Sequence, residues 1–304
     1  MSVIEVRDLR KTYSGRTVLD GVSFSVDEGE VFGILGPNGA GKTTTVESIE
    51  GLRRPDSGTI RVLGHDPLRD GAALREQIGV QLQQSQLPDA LKVWEALDLY
   101  ASFYAAPRDW RQLLDEWGLT EQCNARFGTL SGGQKQRLFI ALALVGDPKV
   151  AFLDELTTGL DPQARRNTWA LIKRIRDSGV TTILVSHHMD EVEELCDRVA
   201  VIDRGVVAAL DTPAGLVQRS VGAARMRFTL PAGAADPMDL VAGVAGVSEV
   251  VRDGDRVSVT GHGEFASAVT ATLAAHRVLV TDLRIDRRSL EDAFIAITGR
   301  PFDH

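Results

Sequence analysis

The sequence is poor in cysteine, and its two cysteines, Cys123 and Cys196, lie far apart in the chain. They form no spacing typical of a metal or redox site, which disfavours both classes of protein. Proteins of oxidising compartments that depend on disulfides use more cysteine than this. A reduced, cytoplasmic location is therefore the expectation.

Long apolar runs are also lacking. No stretch approaches the roughly 20 consecutive apolar residues that are needed to cross a bilayer. The first residues, MSVIEVRDLRKTYSG, carry charges where a signal peptide would need an apolar core. If this protein serves transport across a membrane, we expect another chain to supply the membrane path.

An excess of positive charge is the third absence. Lys and Arg together number 34 against 42 Asp and Glu, which gives a net charge of −8. The surface as a whole therefore favours neither nucleic acid nor an anionic membrane face. With 43% hydrophobic residues over 304 positions, the composition suits one large globular domain and a smaller one.

Apolar runs alternate with helical patterns over the first two thirds of the chain. Val31–Leu35 is an unbroken apolar run that is typical of a buried parallel strand, and similar runs follow at 150–153, 182–185 and 199–202. Helical patterns lie between these runs, for example at 162–177. This alternation predicts an α/β core in which helices cover a sheet.

Two segments depart from that alternation. Apolar and aromatic residues between about 85 and 146 recur at helical spacing, which predicts a mostly helical insertion. After residue 220 we predict a small α/β domain at 221–304, separate from a first domain at 1–220. Its predicted strands lie at 225–230, 247–252, 255–260 and 277–285, and its predicted helices at 236–243, 264–275 and 288–298.

A glycine-rich segment after the first buried strand predicts a phosphate-binding loop. It lies between a predicted strand and a predicted helix and consists of Gly36, Pro37, Asn38, Gly39, Ala40, Gly41, Lys42, Thr43 and Thr44. Glycines allow consecutive backbone N–H groups to surround phosphate oxygens, and the helix N-terminus adds a favourable dipole. Lys42 would place its charge on the β- and γ-phosphates, and the Thr43 hydroxyl suits Mg²⁺. The glycines do not spell G-x-G-x-x-G, which disfavours a dinucleotide-binding fold.

Two carboxylates end a later apolar strand. In a phosphate-loop protein, an Asp at the end of a neighbouring strand, here Asp154, can hold Mg²⁺. The next carboxylate, Glu155, can then orient or deprotonate the attacking water. Taken alone, Asp-Glu is as well explained by an ordinary turn. The phosphate loop earlier in the chain favours the catalytic interpretation.

A third motif is the segment Leu130-Ser131-Gly132-Gly133-Gln134, which precedes a predicted helix. As local structure it is a helix start, with Ser131 as the cap. It is also a second anion-binding nest, in which a hydroxyl and N–H groups face a phosphate. One ATP does not need two such nests from one chain, whereas two chains arranged head to tail would use both.

In combination, these motifs resemble the ATP-binding domain of ABC transporters over roughly residues 2–220. LSGGQ is the signature of that family, and here it lies between the phosphate loop and the Asp-Glu strand, as the family requires. The resemblance implies an α/β fold, with a phosphate-loop α/β core, an antiparallel β-subdomain and a helical insertion. It also implies ATP and Mg²⁺ as cofactors, a homodimer of nucleotide-binding domains, separate transmembrane permease subunits and no nucleic acid. The implied location is cytoplasmic, peripheral at the inner face of the cell membrane through the permease.

Two single positions also match residues of the ABC family. Tyr13 resembles the aromatic residue that stacks on adenine, although a lone Tyr in a strand is also explained by packing. Gln83 matches the glutamine that contacts Mg²⁺ and the membrane partner, with Gln81, Gln84 and Gln86 as nearby alternatives.

Two further positions match loops of the family. Asp161 matches the loop that communicates across the dimer. His187 matches the switch histidine that contacts the γ-phosphate, and its competitor is His188. The residues that follow, Met-Asp-Glu-Val, favour His187.

The resemblance thus assigns catalytic roles to Glu155 and His187, with Thr43, Gln83 and Asp154 around the metal ion. Residues Ser131 to Gln134 would reach the ATP that the other protomer binds. One departure is Leu156, where the family usually has proline. The loss of proline's fixed φ would loosen this loop. Both carboxylates remain, so we expect hydrolysis to survive.

The end of the chain carries a second, weaker resemblance. Ser289-Leu290-Glu291-Asp292-Ala293-Phe294, followed by Thr298-Gly299-Arg300, is similar to the ending of ATP-binding subunits from bacterial drug and antibiotic exporters. It favours export over import and an accessory C-terminal domain.

Two other functions are alternatives to a transporter subunit. One is a soluble ABC-type ATPase of translation or DNA repair, which usually has two such domains or a long coiled-coil insertion. The single phosphate loop and the short interval between Lys42 and Leu130 disfavour it. The other is a regulator that binds nucleotide without hydrolysing it, which Glu155 disfavours.

Overall fold

The computed structural model describes residues 1–81, 86–157, 160–219, 224–231, 236–286 and 289–300. By their internal contacts these residues form two units. The first runs from Met1 to Leu216 and includes the segment that begins at Ile297, and the second is Val217–Ala296. The sequence predicts a boundary at 220 and one continuous C-terminal domain. The structure differs for the segment after Ala296, which it groups with the first unit.

The elements up to residue 219 follow the predicted alternation. In chain order they are β1 (Ser2–Tyr13), β2 (Arg16–Asp27), β3 (Val31–Leu35), α1 (Lys42–Ile49), β4 (Ser57–Val62), α2 (Gly71–Arg75), β5 (Ile78–Gln81), α3 (Val93–Ala101), α4 (Trp110–Glu116), α5 (Gly132–Leu144), β6 (Val150–Asp154), α6 (Pro162–Asp177), β7 (Thr181–Val185), α7 (Met189–Leu195), β8 (Arg198–Asp203), β9 (Val206–Asp211) and α8 (Pro213–Arg219). Single 3₁₀ turns lie at Thr120–Gln122 and Phe127–Thr129.

The central sheet has the strand order β5-β6-β7-β3-β8-β9. Its strands pair in parallel except for β9, which pairs antiparallel with β8. Every residue of β3 and β7 is buried, as expected for parallel strands that are covered on both faces. The carboxyl ends of β6, β7, β3 and β8 lie side by side at one edge. Loops after neighbouring parallel strands form the usual ligand site of such sheets.

The other two parts of the first unit are also present as predicted. Strands β2, β1 and β4 form an antiparallel sheet, in which Ile4, Val6 and Leu9 of β1 are buried. Helices α3, α4 and α5 lie between β5 and β6 and form the helical insertion. The fold class is therefore confirmed for this unit.

The second unit contains β10 (Ala224–Thr229), α9 (Met238–Ala242), β11 (Val247–Asp253), β12 (Arg256–Gly261), α10 (Phe265–Ala275) and β13 (Thr281–Asp286), followed by α11 (Leu290–Thr298). Its antiparallel sheet has the order β11-β12-β10-β13. Alternate residues such as Met226, Phe228, Val257 and Val259 enter a core that includes Phe265 of α10.

Strand β13 starts four residues later than the sequence predicts. The backbone of Arg277 adopts a left-handed φ of 55°, and the N–H groups of Arg277 and Val278 donate to Ala274 and Leu273. These two hydrogen bonds close the end of α10 as a Schellman motif. Residues 277 and 278 are therefore used to end the helix, and the strand begins only after them.

Within the described ranges, no helix combines the length and the apolar character that a bilayer crossing requires.

Candidate nucleotide-binding site

The loop between β3 and α1 is closed by its own lysine. Lys42 Nζ donates to the carbonyl oxygens of Gly36 at 2.7 Å and Pro37 at 3.2 Å. Burial lowers the pKa of Lys42, and the negative charges of Glu155 and Asp154 offset part of that effect. The ammonium group is thus held over the loop and attracted by the two carboxylates.

Two glycines of this loop cannot be replaced without displacing backbone or core atoms. A Cβ at Gly36 would lie 2.2 Å from the carbonyl oxygen of Ile202. Gly41, at the N-cap of α1, has a φ of 108°, which side chains rarely adopt. Because Gly41 has no side chain, no side-chain oxygen competes with an anion for the first N–H groups of α1.

The carboxylates lie across the cleft, at the end of β6. Burial and, to a smaller extent, the charge of Glu155 raise the pKa of Asp154 to about 6, against the opposing effect of Lys42. A cation beside Asp154 would relieve this repulsion, and the carboxylate and the Thr43 hydroxyl are oxygen ligands of the kind that Mg²⁺ prefers. In the described part of the chain, no three His, Cys, Asp or Glu side chains cluster as a metal site. An ion here would need Thr43, water and phosphate oxygens as further ligands.

Glu155 is fixed by its backbone and faces a histidine. Its φ of 50° is left-handed, and its N–H donates to the carbonyl oxygen of Val185 at 2.9 Å. Glu155 Oε1 lies 3.4 Å from His187 Nδ1. The structure therefore brings together the two side chains for which the sequence predicts catalytic roles.

His188 occupies a different environment from His187. The two rings lie 4.2 Å apart between centroids, and the His188 N–H donates to Ser186 Oγ at 3.0 Å. Burial lowers the pKa of His188, and the neighbouring His187 and Arg165 lower it further. Ser186 Oγ donates in turn to the buried carboxylate of Glu191. This hydrogen-bonded turn after β7 leaves His187 as the histidine that meets Glu155.

Tyr13 lies at the end of β1 and contacts two cations. Arg53 Nη1 donates to the Tyr13 hydroxyl at 2.7 Å, and Lys11 Nζ lies 5.3 Å from the ring centroid. The ring lines the same cleft as the phosphate loop.

That cleft has a volume of about 600 Å³. The predicted residues that line it are Tyr13, Asn38, Gly39, Ala40, Gly41, Lys42, Thr43, Thr44, Asp154 and Glu155. It is also lined by Arg16, Thr17, Val18 and Arg204, which the sequence motifs do not include, and by Arg300, which the sequence indicates only as part of the C-terminal motif and not as a nucleotide contact. Arg204 directly follows β8. Because ligand sites of parallel sheets lie at the carboxyl ends of the strands, this position in the sequence could have indicated Arg204. No local signal indicates that Arg300 lies in the nucleotide cleft.

The signature lines another cleft, of about 750 Å³, together with Asp161 and the start of α6. Ser131 Oγ accepts from the Gln134 N–H at 3.3 Å, and Gln134 Oε1 accepts from the Ser131 N–H at 2.8 Å, which forms a capping box. Asp161 Oδ1 caps α6 through the N–H groups of Gln163 and Ala164. The signature and the phosphate loop are therefore not brought together within one chain.

Two other predicted features remain. Gln83 and its alternative Gln84 lie outside the described residues. Leu156, in the place of the family's proline, is buried.

In this parallel sheet, β3 leads into a phosphate loop and two acidic residues stand at the end of β6. This combination defines a phosphate-loop nucleoside triphosphatase. Comparison with known proteins narrows this class. The family model described as ABC transporter matches residues 19–158.

Two curated relatives match along nearly the whole chain. The linearmycin resistance ATP-binding protein LnrL of Bacillus subtilis (strain 168) is 33% identical over 98% of this chain and 99% of its own length. The daunorubicin/doxorubicin resistance ATP-binding protein DrrA of Streptomyces peucetius is 35% identical over 99% of this chain and 93% of its own length.

A solved ATP-binding cassette, in a dimeric post-hydrolysis state bound to ADP and Pi, is also similar. It has a TM-score of 0.60 and 25% identity and covers 69% of this chain and 98% of its own. The chain therefore belongs to the ABC transporter family as an ATP-binding subunit that hydrolyses ATP.

Proposed function

We propose that this chain powers an ABC exporter as a homodimer, in which each ATP is bound between the phosphate loop of one protomer and the signature of the other. The separation of the two anion-binding elements into different clefts carries this proposal. Among the described residues, none lines both the cleft of the phosphate loop and that of the signature. A head-to-tail dimer lets one nucleotide use both elements.

The chemistry proposed for this site follows from its charges. Lys42 neutralises the β- and γ-phosphates, and the N–H groups of the loop bind their oxygens. Mg²⁺, held by Thr43, Asp154 and Gln83, would neutralise charge on the phosphates when bound. Glu155 accepts a proton from the attacking water, and His187 orients the γ-phosphate and that water. The 3.4 Å contact between Glu155 and His187 supports this division of roles.

A groove on the helical insertion is the proposed docking site for the membrane partner. It has a volume of about 560 Å³ and is lined by Leu52, Tyr100, Phe103 and Tyr104 beside Arg75 and Glu76. Leu52 and Phe103 are 62% and 64% exposed and line the same groove, and an exposed apolar patch of this kind marks an interaction site. A permease helix with apolar residues and a few charges would cover them.

Export of drug-like or hydrophobic compounds is the proposed direction and substrate class. It is supported by relatives named for resistance to linearmycin and to daunorubicin and doxorubicin. The membrane subunits would bind the substrate itself. Docking to them would place this chain at the inner face of the cell membrane.

Mixed dimers test the proposal. Ser131→Arg removes the signature function and Lys42→Ala the phosphate clamp, so a heterodimer of the two variants retains one intact composite site. We expect the mixture to hydrolyse ATP measurably faster than either variant alone. Tagged protomers and co-purification verify that mixed dimers form. If they form and no activity is restored, the shared site is rejected.

A further inference from the structure

One side chain of the nucleotide cleft comes from the end of the described chain. Arg300 follows α11 and belongs to the segment that the structure groups with the first unit. It lines the same cleft as Lys42, Arg16 and Arg204. No motif of the ATP-binding domain includes it.

An acidic residue holds Arg300 at this position. Its Nη2 donates to Asp203 Oδ1, across 97 residues of sequence. The Asp203 side chain is only 12% exposed and stands at the end of β8, next to the strand that leads into the phosphate loop. The pair is therefore anchored at the carboxyl end of β8 in the central sheet.

The turn after Asp203 connects this pair to the phosphate loop. The Gly205 N–H donates to the carbonyl oxygen of Ala40 at 3.1 Å, and the Gly205 carbonyl accepts from the Asp20 N–H at 2.8 Å. These hydrogen bonds join the turn to the loop on one side and to β2 on the other. Through Asp203 and this turn, Arg300 is connected to the phosphate loop, where the phosphates of a bound nucleotide would lie.

The guanidinium group retains donors for a ligand. Arginine has five N–H donors, and Asp203 accepts from one of its terminal nitrogens. Arg300 Nε is buried and has no hydrogen-bond partner in the described structure. Guanidinium groups bind phosphate oxygens in short, charge-assisted hydrogen bonds.

We propose that Arg300 is a nucleotide-contacting residue that binds phosphate oxygens of ATP, and that Asp203 is the positioning residue that holds it in the cleft. The inference rests on the assignment of this cleft as the ATP site. It makes the C-terminal segment part of nucleotide binding, so that a change in this segment alters ATP affinity directly.

Affinity for a non-hydrolysable ATP analogue with Mg²⁺, measured by calorimetry on the full chain, tests the proposal. Arg300→Gln removes the charge but keeps an amide that can donate to Asp203. We expect it to weaken binding about tenfold and to reduce the salt dependence of the affinity, whereas Arg300→Lys recovers most of the loss. Asp203→Asn should give a smaller loss, because the arginine remains but is less constrained. Arg252→Gln is the matched control, because Arg252 forms a similar ion pair with Asp236 and is 38% exposed against 40% for Arg300.

Lys42→Ala separates the failure of this proposal from the failure of the site assignment. If Lys42→Ala loses affinity and Arg300→Gln stays within about twofold of the wild type, Arg300 only anchors the chain end and the proposal is overturned. It is also overturned if both Arg300 variants lose affinity with an unchanged salt dependence, because that marks a structural effect on the loop. If Lys42→Ala binds normally, the cleft is not the ATP site and both proposals fail.

Discussion

At the scale of single residues, Glu155 and Lys42 face the same cleft but serve different steps. Lys42 is held against the loop carbonyls and contributes to binding, whereas Glu155 contacts His187 and is placed to act on water. Loss of the two side chains should therefore have different consequences.

Glu155→Gln should retain ATP affinity and accumulate an ATP-bound dimer, because the amide keeps the shape of the side chain but accepts no proton. Lys42→Ala should weaken ATP binding itself. Size-exclusion chromatography with and without ATP, together with a phosphate-release assay, distinguishes the two. Hydrolysis at the wild-type rate by Glu155→Gln would contradict the role of Glu155 as the base.

Glu50, which no step of hydrolysis uses, is a buried acid whose pKa lies far above its ordinary value. It is buried at the end of α1, and burial raises its pKa to about 8, with smaller contributions from the charges of Asp154 and Glu47. The folded state binds this proton more tightly than the unfolded state, in which the pKa is near 4.5. The stability that this group contributes is therefore present at low pH and is lost as pH rises towards 8.

We expect Glu50→Gln to reduce the fall in unfolding free energy between pH 6 and pH 8, which for one proton is at most about 1.4 kcal/mol per pH unit. Asp154, with a pKa of about 6, titrates at the lower end of this range in both proteins, so the difference between their two slopes reports Glu50. Urea denaturation without Mg²⁺ at several pH values measures it. Glu28→Gln, at an exposed position, is the control and should leave the slope unchanged. Equal slopes for wild type and Glu50→Gln would show that Glu50 is ionised in the folded protein.

At the scale of elements, the helical insertion presents one surface that its own packing does not explain. Residues of α3 such as Val93 and Leu97 are buried, and Leu113 of α4 packs into the same unit. Phe103, just after α3, contacts the ring of Tyr100 in a tilted arrangement at a centroid distance of 5.7 Å and stays exposed. Its position over the groove is thus available to a partner.

Phe103→Glu should lower the membrane-bound fraction of this chain in its native cells severalfold, because it places a charge where we expect an apolar helix to dock. ATP affinity of the purified protein should not change. Leu99→Glu is the matched control, since Leu99 is exposed on α3 but does not line the groove. Equal membrane fractions for Phe103→Glu and wild type would place the docking surface elsewhere.

At the scale of the whole molecule, the second unit has its own apolar core beneath a four-stranded sheet. All residues for which the sequence predicts nucleotide contacts precede residue 190 and lie in the first unit. We therefore propose that the second unit is separable from ATP binding, and that its removal by truncation affects ATP binding only because Arg300 of the first unit is lost with it.

Truncation after Arg219, at the end of α8, should leave a folded protein. We expect its ATP affinity to match that of full-length Arg300→Gln, because both lack the same guanidinium group. Calorimetry on both proteins provides the comparison. An additional loss of more than about 2 kcal/mol, or about thirtyfold, would mean that the second unit shapes the ATP site.

The agreement between sequence and structure is greatest where the signals are local. The buried strand β3, the glycine-rich loop before α1 and the Ser131 cap of α5 depend on residues a few positions apart. In the second unit, the alternation of apolar residues placed every strand and helix within a few residues. Its largest error, the start of β13, arose because a helix-closing motif used a non-glycine residue, Arg277, in a conformation typical of glycine.

By itself, the sequence determined the fold class, the phosphate loop, the acidic pair and the family, because strand and helix periodicity, turn glycines and motif spacing are all encoded over short stretches. Only the tertiary structure decided that His187 meets Glu155, that the signature lies in a different cleft from the phosphate loop, and that Arg300 reaches Asp203. These contacts join residues that are distant in sequence. They depend on strand order and on the packing of complete elements, which local patterns do not specify.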